Sequence, residues 1–359
     1  MDDPSLEDIV RQLSDLEVAL FLCLVAREHC LIETTGDGIH DLAKELALVC
    51  SHTFDLSYSI LDCSETTSIG DIQHEILTAD ARKSQERPSY FRLKTASSSN
   101  LSLGMTPRDR SKSPIPSLLP TDINVVNIVI AKDFNLVDDD VQVQVLQLMR
   151  SKNLVTEMGF LNAPEDFLFI PLVYASLPFQ PLPRACSDFS MQNEHLLISH
   201  FHNPSDGYVY LEENDWLSDG QLSASSVIHT PKTHEKKRAK IDHLAIDKIR
   251  EASGSVTTSA EVARYIQDIV LLGGVSAKAK NDFARFAEYL APLHGIDYLT
   301  PSIVALAARK VFRHRIVVAN PEDDRSLQYG SGLGAISSVL VDVTPDSILD
   351  GVLALEPPL

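Results

Sequence analysis

The stretch ALFLCLVAREHCLIETTGDGIHDLAKELA, residues 19–47, decides the fold class. It begins inside a segment, residues 5 to 28, that places Ile9, Leu13, Leu16, Leu20 and Leu24 at helical spacing. Cys30-Leu31-Ile32 follows as a short strand and runs into a polar, glycine-containing turn, after which Asp41 to Val49 has helical spacing again. Strand, turn and helix in succession open an α/β unit. Outward from there, Ser59-Ile60-Leu61-Asp62 reads as the next strand, and Val125 to Ala131 as a continuous apolar run of the kind a parallel strand covered on both faces requires. Val137 to Met149 returns to helical spacing, and Phe167 to Val173 is a second buried strand.

The second half reads differently. From Ile246 the chain is helical: Val262, Tyr265, Ile266, Ile269 and Val270 form one stripe, and Ala279, Phe283, Phe286 and Leu290 another. Thr300-Pro301 is an amino-terminal cap with proline in the first turn, leading Val304, Ala307 and Val311. The expected organisation is an α/β core with a parallel sheet over 1–200, a linker over 201–245, a small all-α domain over 246–325 and a tail over 326–359. Residues 81–120, rich in Ser, Pro, Arg and Lys around RDRSKSPIPS, lack the apolar content to fold and predict a mobile insertion open to phosphorylation. In the tail, Thr344-Pro345 predicts a short helix that gathers Ile348, Leu349, Val352, Leu353 and Leu355 mostly together. That helix either docks on its own lid or binds a partner.

Composition sets bounds. With 359 residues and 44% hydrophobic content the chain can bury two cores. No apolar run approaches the eighteen residues that a membrane span needs; the longest is Val18 to Ala26. The acidic start Met1-Asp2-Asp3-Pro4 is unlike a secretory signal, which predicts a cytoplasmic protein, or a nuclear one if the basic run KKRAK acts as an address. Five cysteines without CxxC spacing fit reduced thiols, and a net charge of −19 disfavours nucleic acid and anionic membrane as partners.

Three separated segments resemble, in the correct order, the AAA+ family of the magnesium-chelatase I-subunit and MoxR type. The opening stretch is similar to that family's helix, strand, phosphate loop and following helix. NIVIAKDFNLVDDDVQVQVLQLM and then APEDFLFIPLV are similar to its Walker B strand, next helix and sensor 1 strand, and PLPRACSDF to the end of its core domain. VARYIQDIV and GGVSAKAKNDFARFAEYLAPLHGIDYLTPSIVALAARKVFRHRI resemble its helical lid, with HGIDYLTP and FRHRI as the most specific words. The resemblance implies a P-loop-type α/β core followed by an AAA lid, ring assembly with AAA+ subunits, and ATP with Mg²⁺ as cofactors. In magnesium chelatase itself it implies ATP-driven insertion of Mg²⁺ into protoporphyrin.

The residues that this chemistry requires are substituted. A phosphate loop needs glycines that let amides close on phosphate, and a lysine as point charge. Here Gly36 and Gly38 keep the glycines, Ile39 stands in the lysine slot and His40 in the slot of the Mg²⁺-binding Ser or Thr; Asp37 adds a negative charge beside the phosphates. In the Walker B region Lys132 occupies the Asp slot and Asp133 the Glu slot, and a cation repels the metal that an Asp would hold. Tyr174 stands near the sensor 1 position, Lys278 in the place of the sensor 2 arginine, and PLPRACSDF lacks the arginine expected beside its aspartate. Asp138, Asp139 and Asp140 read as a solvated helix start rather than a metal cluster.

The expectation is a degenerate AAA+ module, a pseudo-ATPase that needs no cofactor and works through protein partners. The competing expectation is an active magnesium-chelatase-type ATPase subunit with an atypical site, which requires ATP and Mg²⁺ and leaves Asp133 as its remaining catalytic carboxylate.

Overall fold

A computed structural model describes residues 12–35, 38–79, 123–156, 159–174, 195–203, 240–316, 318 and 320–354. The Ser/Pro-rich insertion, most of the linker, PLPRACSDF, Gly36 and Asp37 lie outside the described residues.

The first described helix, α1 (Asp15–Ala26), starts at a capping box in which Ser14 accepts from the Glu17 amide and the Glu17 carboxylate accepts from the Ser14 amide. The sequence predicts one apolar face; instead Leu16, Leu20 and Leu24 are buried, and so are Phe21, Leu22, Cys23 and Val25 around the rest of the helix. A helix apolar all round has no solvent face and becomes interior. Strand β1 (His29–Thr34) and helix α2 (Ile39–Leu48) follow, and a π-turn (Val49–Thr53) brings the Thr53 hydroxyl to the buried Glu17 carboxylate at 2.7 Å.

Next come β2 (Tyr58–Asp62), α3 (Ile69–Ile76), β3 (Leu77–Ala79) and β4 (Ile123–Val125). The predicted strand Val125–Ala131 is broken: β4 ends at Val125 and β5 (Ile128–Lys132) begins after Asn127. Asn127 is held by Ser57, which donates to its side-chain oxygen at 2.7 Å and accepts from its amide at 3.0 Å, so the polar pair interrupts the ladder. The core finishes with α4 (Asp139–Ser151), the hairpin β6 (Asn153–Thr156) and β7 (Gly159–Asn162), β8 (Leu168–Tyr174) and β9 (Leu196–His202). The sequence reading does not anticipate β9, because His200 and His202 interrupt its apolar pattern.

Five strands form one parallel sheet in the order β2-β5-β8-β1-β9. Alternate residues serve opposite faces. Ile128, Ile130, Ile170 and Ile32 join α1, α2 and the later helices in one core, whereas Val129, Ala131, Phe169 and Leu31 join α3 and α4 in the other. Because every strand runs the same way, Asp62, Lys132, Thr34, Tyr174 and His202 end at one edge. Asp62 is level with Lys132, and Thr34 with both Tyr174 and His202. That edge is where an open α/β sheet presents its loops.

Helices α5 (His243–Ser253), α6 (Ala260–Gly273), α7 (Ala277–Leu293) and α8 (Pro301–Phe312) make the lid, and Ser259, Ser276 and Thr300 each cap the helix that follows. Their apolar stripes meet as predicted: Phe283, Phe286, Val304, Ala307 and Val311 are buried and continuous with the core on the α1 side of the sheet. The tail holds α9 (Leu333–Leu340) and α10 (Pro345–Leu353).

His29, at the foot of β1, is interior. Its Nδ1 accepts from the Phe169 amide at 3.0 Å and its Nε2 lies 3.2 Å from the Met149 carbonyl, so the neutral ring satisfies both. Burial is the main cause that lowers its pKa to about 4. The unfolded ring takes its proton near 6.5 and the folded ring only near 4, so this residue makes stability fall as pH drops through that window. Denaturant titrations at pH 7 and pH 5 are expected to differ by about 2 kcal/mol on account of His29. In His29→Gln that part of the pH dependence is expected to vanish while stability at pH 7 is lower; an unchanged pH slope in the variant would refute the assignment.

Candidate functional site

The carboxyl edge of the sheet is closed by an internal cation. The Lys132 side chain, 10% exposed at the end of β5, forms a short ion pair with Asp62 at the end of β2, and its Nζ lies 3.3 Å from His40 Nδ1 in the first turn of α2. Burial, Lys44 and Lys132 hold the His40 pKa below its usual value, so the ring is neutral and accepts the lysine's hydrogen bond. Two positions that the resemblance assigns to metal binding thus come together, joined to each other by a protein-borne charge.

Ile39 does not reach the cleft at all. It is 4% exposed and packs in the core with Leu42 and Leu46. Gly38, the amino-terminal cap of α2, has φ −92° and ψ −12°, a right-handed conformation open to any residue, so this position makes no use of glycine's freedom. The Gly38 amide closes the turn on the Thr35 carbonyl at 2.9 Å. Thr34 is fully buried, and its hydroxyl has no hydrogen-bond partner among the described residues.

Asp133 follows Lys132 in the left-handed region, φ 53°, which an Asp tolerates better than most side chains. Its amide donates to the Leu172 carbonyl at 3.0 Å, tying the turn to β8. Burial raises the carboxyl's pKa, against the opposing pull of the Lys132 charge and of a hydrogen bond from the Tyr174 hydroxyl. One carboxylate oxygen is buried without a partner among the described residues. Tyr174, which the resemblance puts near sensor 1, therefore acts on Asp133. Cys63 lies beside this group, and burial first, then Asp133 and Asp62, push its thiol up to about 12, which leaves it unreactive. Asp138 precedes α4 without a side-chain capping bond while Asp139 and Asp140 occupy its first turn, all three exposed.

Lys278 is not part of this cluster. It begins α7, 3.0 Å from Asp282, and its charge acts on Glu28 and His29 at the amino end of β1, the opposite end from the loop. Its pairing with Asp282 and the fold of the lid place it there. A groove of about 480 Å³ in the lid, between α6 and α7, is likewise remote from the strand ends.

The sequence reading assigns no role to a second set of polar groups that fastens the lid. Arg313 makes a short ion pair with Glu33 on β1 and donates from Nε to Asp346 on α10 at 3.1 Å. Arg315 donates to the Leu196 carbonyl and to Asp282, each at 2.8 Å, and His314 Nε2 lies 2.9 Å from the same carbonyl. Lys310 Nζ lies 3.2 Å from Nδ1 of His200, a ring that burial, Lys310 and His202 hold at about 3 and therefore neutral. Arg250 donates to the Leu24 and Val25 carbonyls at the end of α1, both at 3.0 Å. FRHRI is thus the clasp between lid and sheet. Its basic residues could have been noticed as too many for an apolar interface without acceptors opposite.

Residues 263–329 match the AAA lid domain family. Among solved structures, the chain is similar to a "putative ATPase" from Cytophaga hutchinsonii at 15% identity, with a TM-score of 0.52 over 94% of this chain and 93% of that one. No curated protein matches. At that identity the likeness carries the fold: a parallel α/β core with an AAA lid, an AAA+ architecture.

Two outcomes are expected. Lys132→Met should raise the Asp133 carboxyl pKa further, read by carboxyl-carbon NMR, because it removes the nearby charge that opposes burial; no upward movement would contradict the geometry. Arg313→Met should cost roughly 2 kcal/mol in urea unfolding, and combining it with Glu33→Gln should cost less than the sum of the single changes. Additive losses would mean that the pair is not coupled.

Proposed function

We propose that this chain is a magnesium-chelatase-like, MoxR-like AAA+ module that does not hydrolyse ATP and acts as an interaction or assembly protein. The observation that carries the reading is Lys132, whose ammonium is shared between Asp62 and His40 at the sheet edge. A divalent metal bound to triphosphate needs anionic or neutral oxygen donors converging on it. Here the Lys132 charge already pairs with Asp62 and acts on Asp133, and a second cation would have to enter beside the first. Mg²⁺ does not fit the residues present. Ile39 in the core and neutral His40 leave the loop without the lysine's point charge, which would meet the phosphates. The subtype rests on the lid words HGIDYLTP and FRHRI.

Lid motion is the means by which nucleotide state would be relayed, and the clasp of Arg313, Arg315, Lys310 and Arg250 holds the lid against it. A lid so fastened suits a fixed binding surface. Neighbours in an assembly would be protein subunits, AAA+ subunits in a ring among them.

A thermal-shift titration with Mg-ATP and Mg-ADP tests the reading. A ligand at a hundred times its dissociation constant stabilises the fold by about 2.7 kcal/mol. The expected outcome is no shift at millimolar nucleotide. A clear rise in Tm, with turnover that Asp133→Ala abolishes, would establish the ATPase reading instead.

A further inference from the structure

The tail contains two helices, and the sequence leaves α10 either to dock on its own lid or to bind a partner. The structure uses that helix internally. Leu349 and Val352 are buried in the main core, Asp346 pairs with Arg313, and Asp350 pairs with Arg309 at 2.7 Å. The helix left over is α9.

Residues 326–341, SLQYGSGLGAISSVLV, contain no charged side chain in a chain that is 23% charged. Within them α9 buries only Ile336, and it packs mainly on the short 3₁₀ turn Pro321–Asp323. Tyr329 is 87% exposed, Val339 72%, Val341 64% and Leu333 48%. Single exposed apolar residues are ordinary, but four within thirteen residues, on and beside a helix with no charged side chain, mark a contact surface. Around it stand acids. Glu322 and Asp323 lie in the turn against which α9 packs, and Asp342 follows the patch directly; all three are exposed and none is in an ion pair among the described residues. Arg325 is the one basic residue in this stretch.

We infer that α9 and Tyr329 form a docking surface for an amphipathic helix of another protein, one that offers apolar side chains flanked by Lys or Arg. The choice follows from charge. A second copy of this chain would bring the same acids against Glu322, Asp323 and Asp342 and add its own net charge of −19, and an anionic membrane would be repelled likewise. A cationic, apolar helix meets both the patch and its rim. This surface is independent of what the strand-end cleft binds.

The test uses the full chain and a labelled 14-residue Leu/Lys amphipathic peptide, followed by fluorescence anisotropy at physiological salt. General attraction to an acidic protein is controlled by Tyr329→Ser combined with Val339→Ser, which leaves every charge in place and removes two outward side chains. The double variant is expected to keep its Tm and to bind about tenfold more weakly. Glu322→Gln with Asp323→Asn and Asp342→Asn should also weaken binding, and a Leu/Glu peptide should bind neither protein. Equal binding by wild type and the double variant would overturn the proposal. So would sedimentation showing self-association that the double variant loses, or binding to phosphatidylcholine vesicles that it loses.

Discussion

Lys132 stands at the level of Asp62 because β2 and β5 are parallel and in register, so the two side chains leave the sheet at the same height. Once an ammonium and a carboxylate meet there, out of bulk water on the lysine's side, separating them would strand a charge with 10% exposure. The other features of the edge adapt to that pair. His40 stays neutral and accepts a hydrogen bond, and Asp133, where the Lys132 charge opposes the upward pull of burial, takes the Tyr174 hydroxyl. Lys132, Asp62 and His40 thus satisfy one another, while one Asp133 carboxylate oxygen and the Thr34 hydroxyl keep no partner among the described residues.

A comparable logic governs the lid. Its helices present an apolar stripe that merges with the core on the α1 side of the sheet, and such a stripe fixes contact but not orientation. Orientation comes from directional bonds. The Leu196 carbonyl at the start of β9 receives both Arg315 and the His314 ring, while Arg250 takes the Leu24 and Val25 carbonyls in the last turn of α1. Arg313 extends the clasp to β1 and to the tail, so sheet, lid and α10 share one guanidinium. With α10 committed in this way, the apolar residues of α9 are what the tail has left to offer.

Much of the fold was legible from residues alone. Val125 to Ala131 and Phe167 to Val173 read as interior strands, since strands apolar on both faces demand cover on both, though the first run breaks at Asn127. Thr300 marked a helix start by local hydrogen bonding that needs no tertiary context. The substitutions Ile39, His40 and Lys132 were equally visible, as was the loss of the side chains that phosphate and metal require.

Tertiary structure decided what those substitutions do. Sequence separates Lys132 from Asp62 and His40, and the sheet order, a property of the whole chain, makes them neighbours. Periodicity could not show that α1 lacks a solvent face or that β9 exists, because burial depends on what packs around a segment. Nor could it tell which tail helix would be covered: α9 and α10 are both apolar and short, and only Arg309, Arg313 and the core apolar residues, brought to one side by folding, chose α10. Local chemistry is written in the order of residues; which charges meet is written in the path that the chain takes between them.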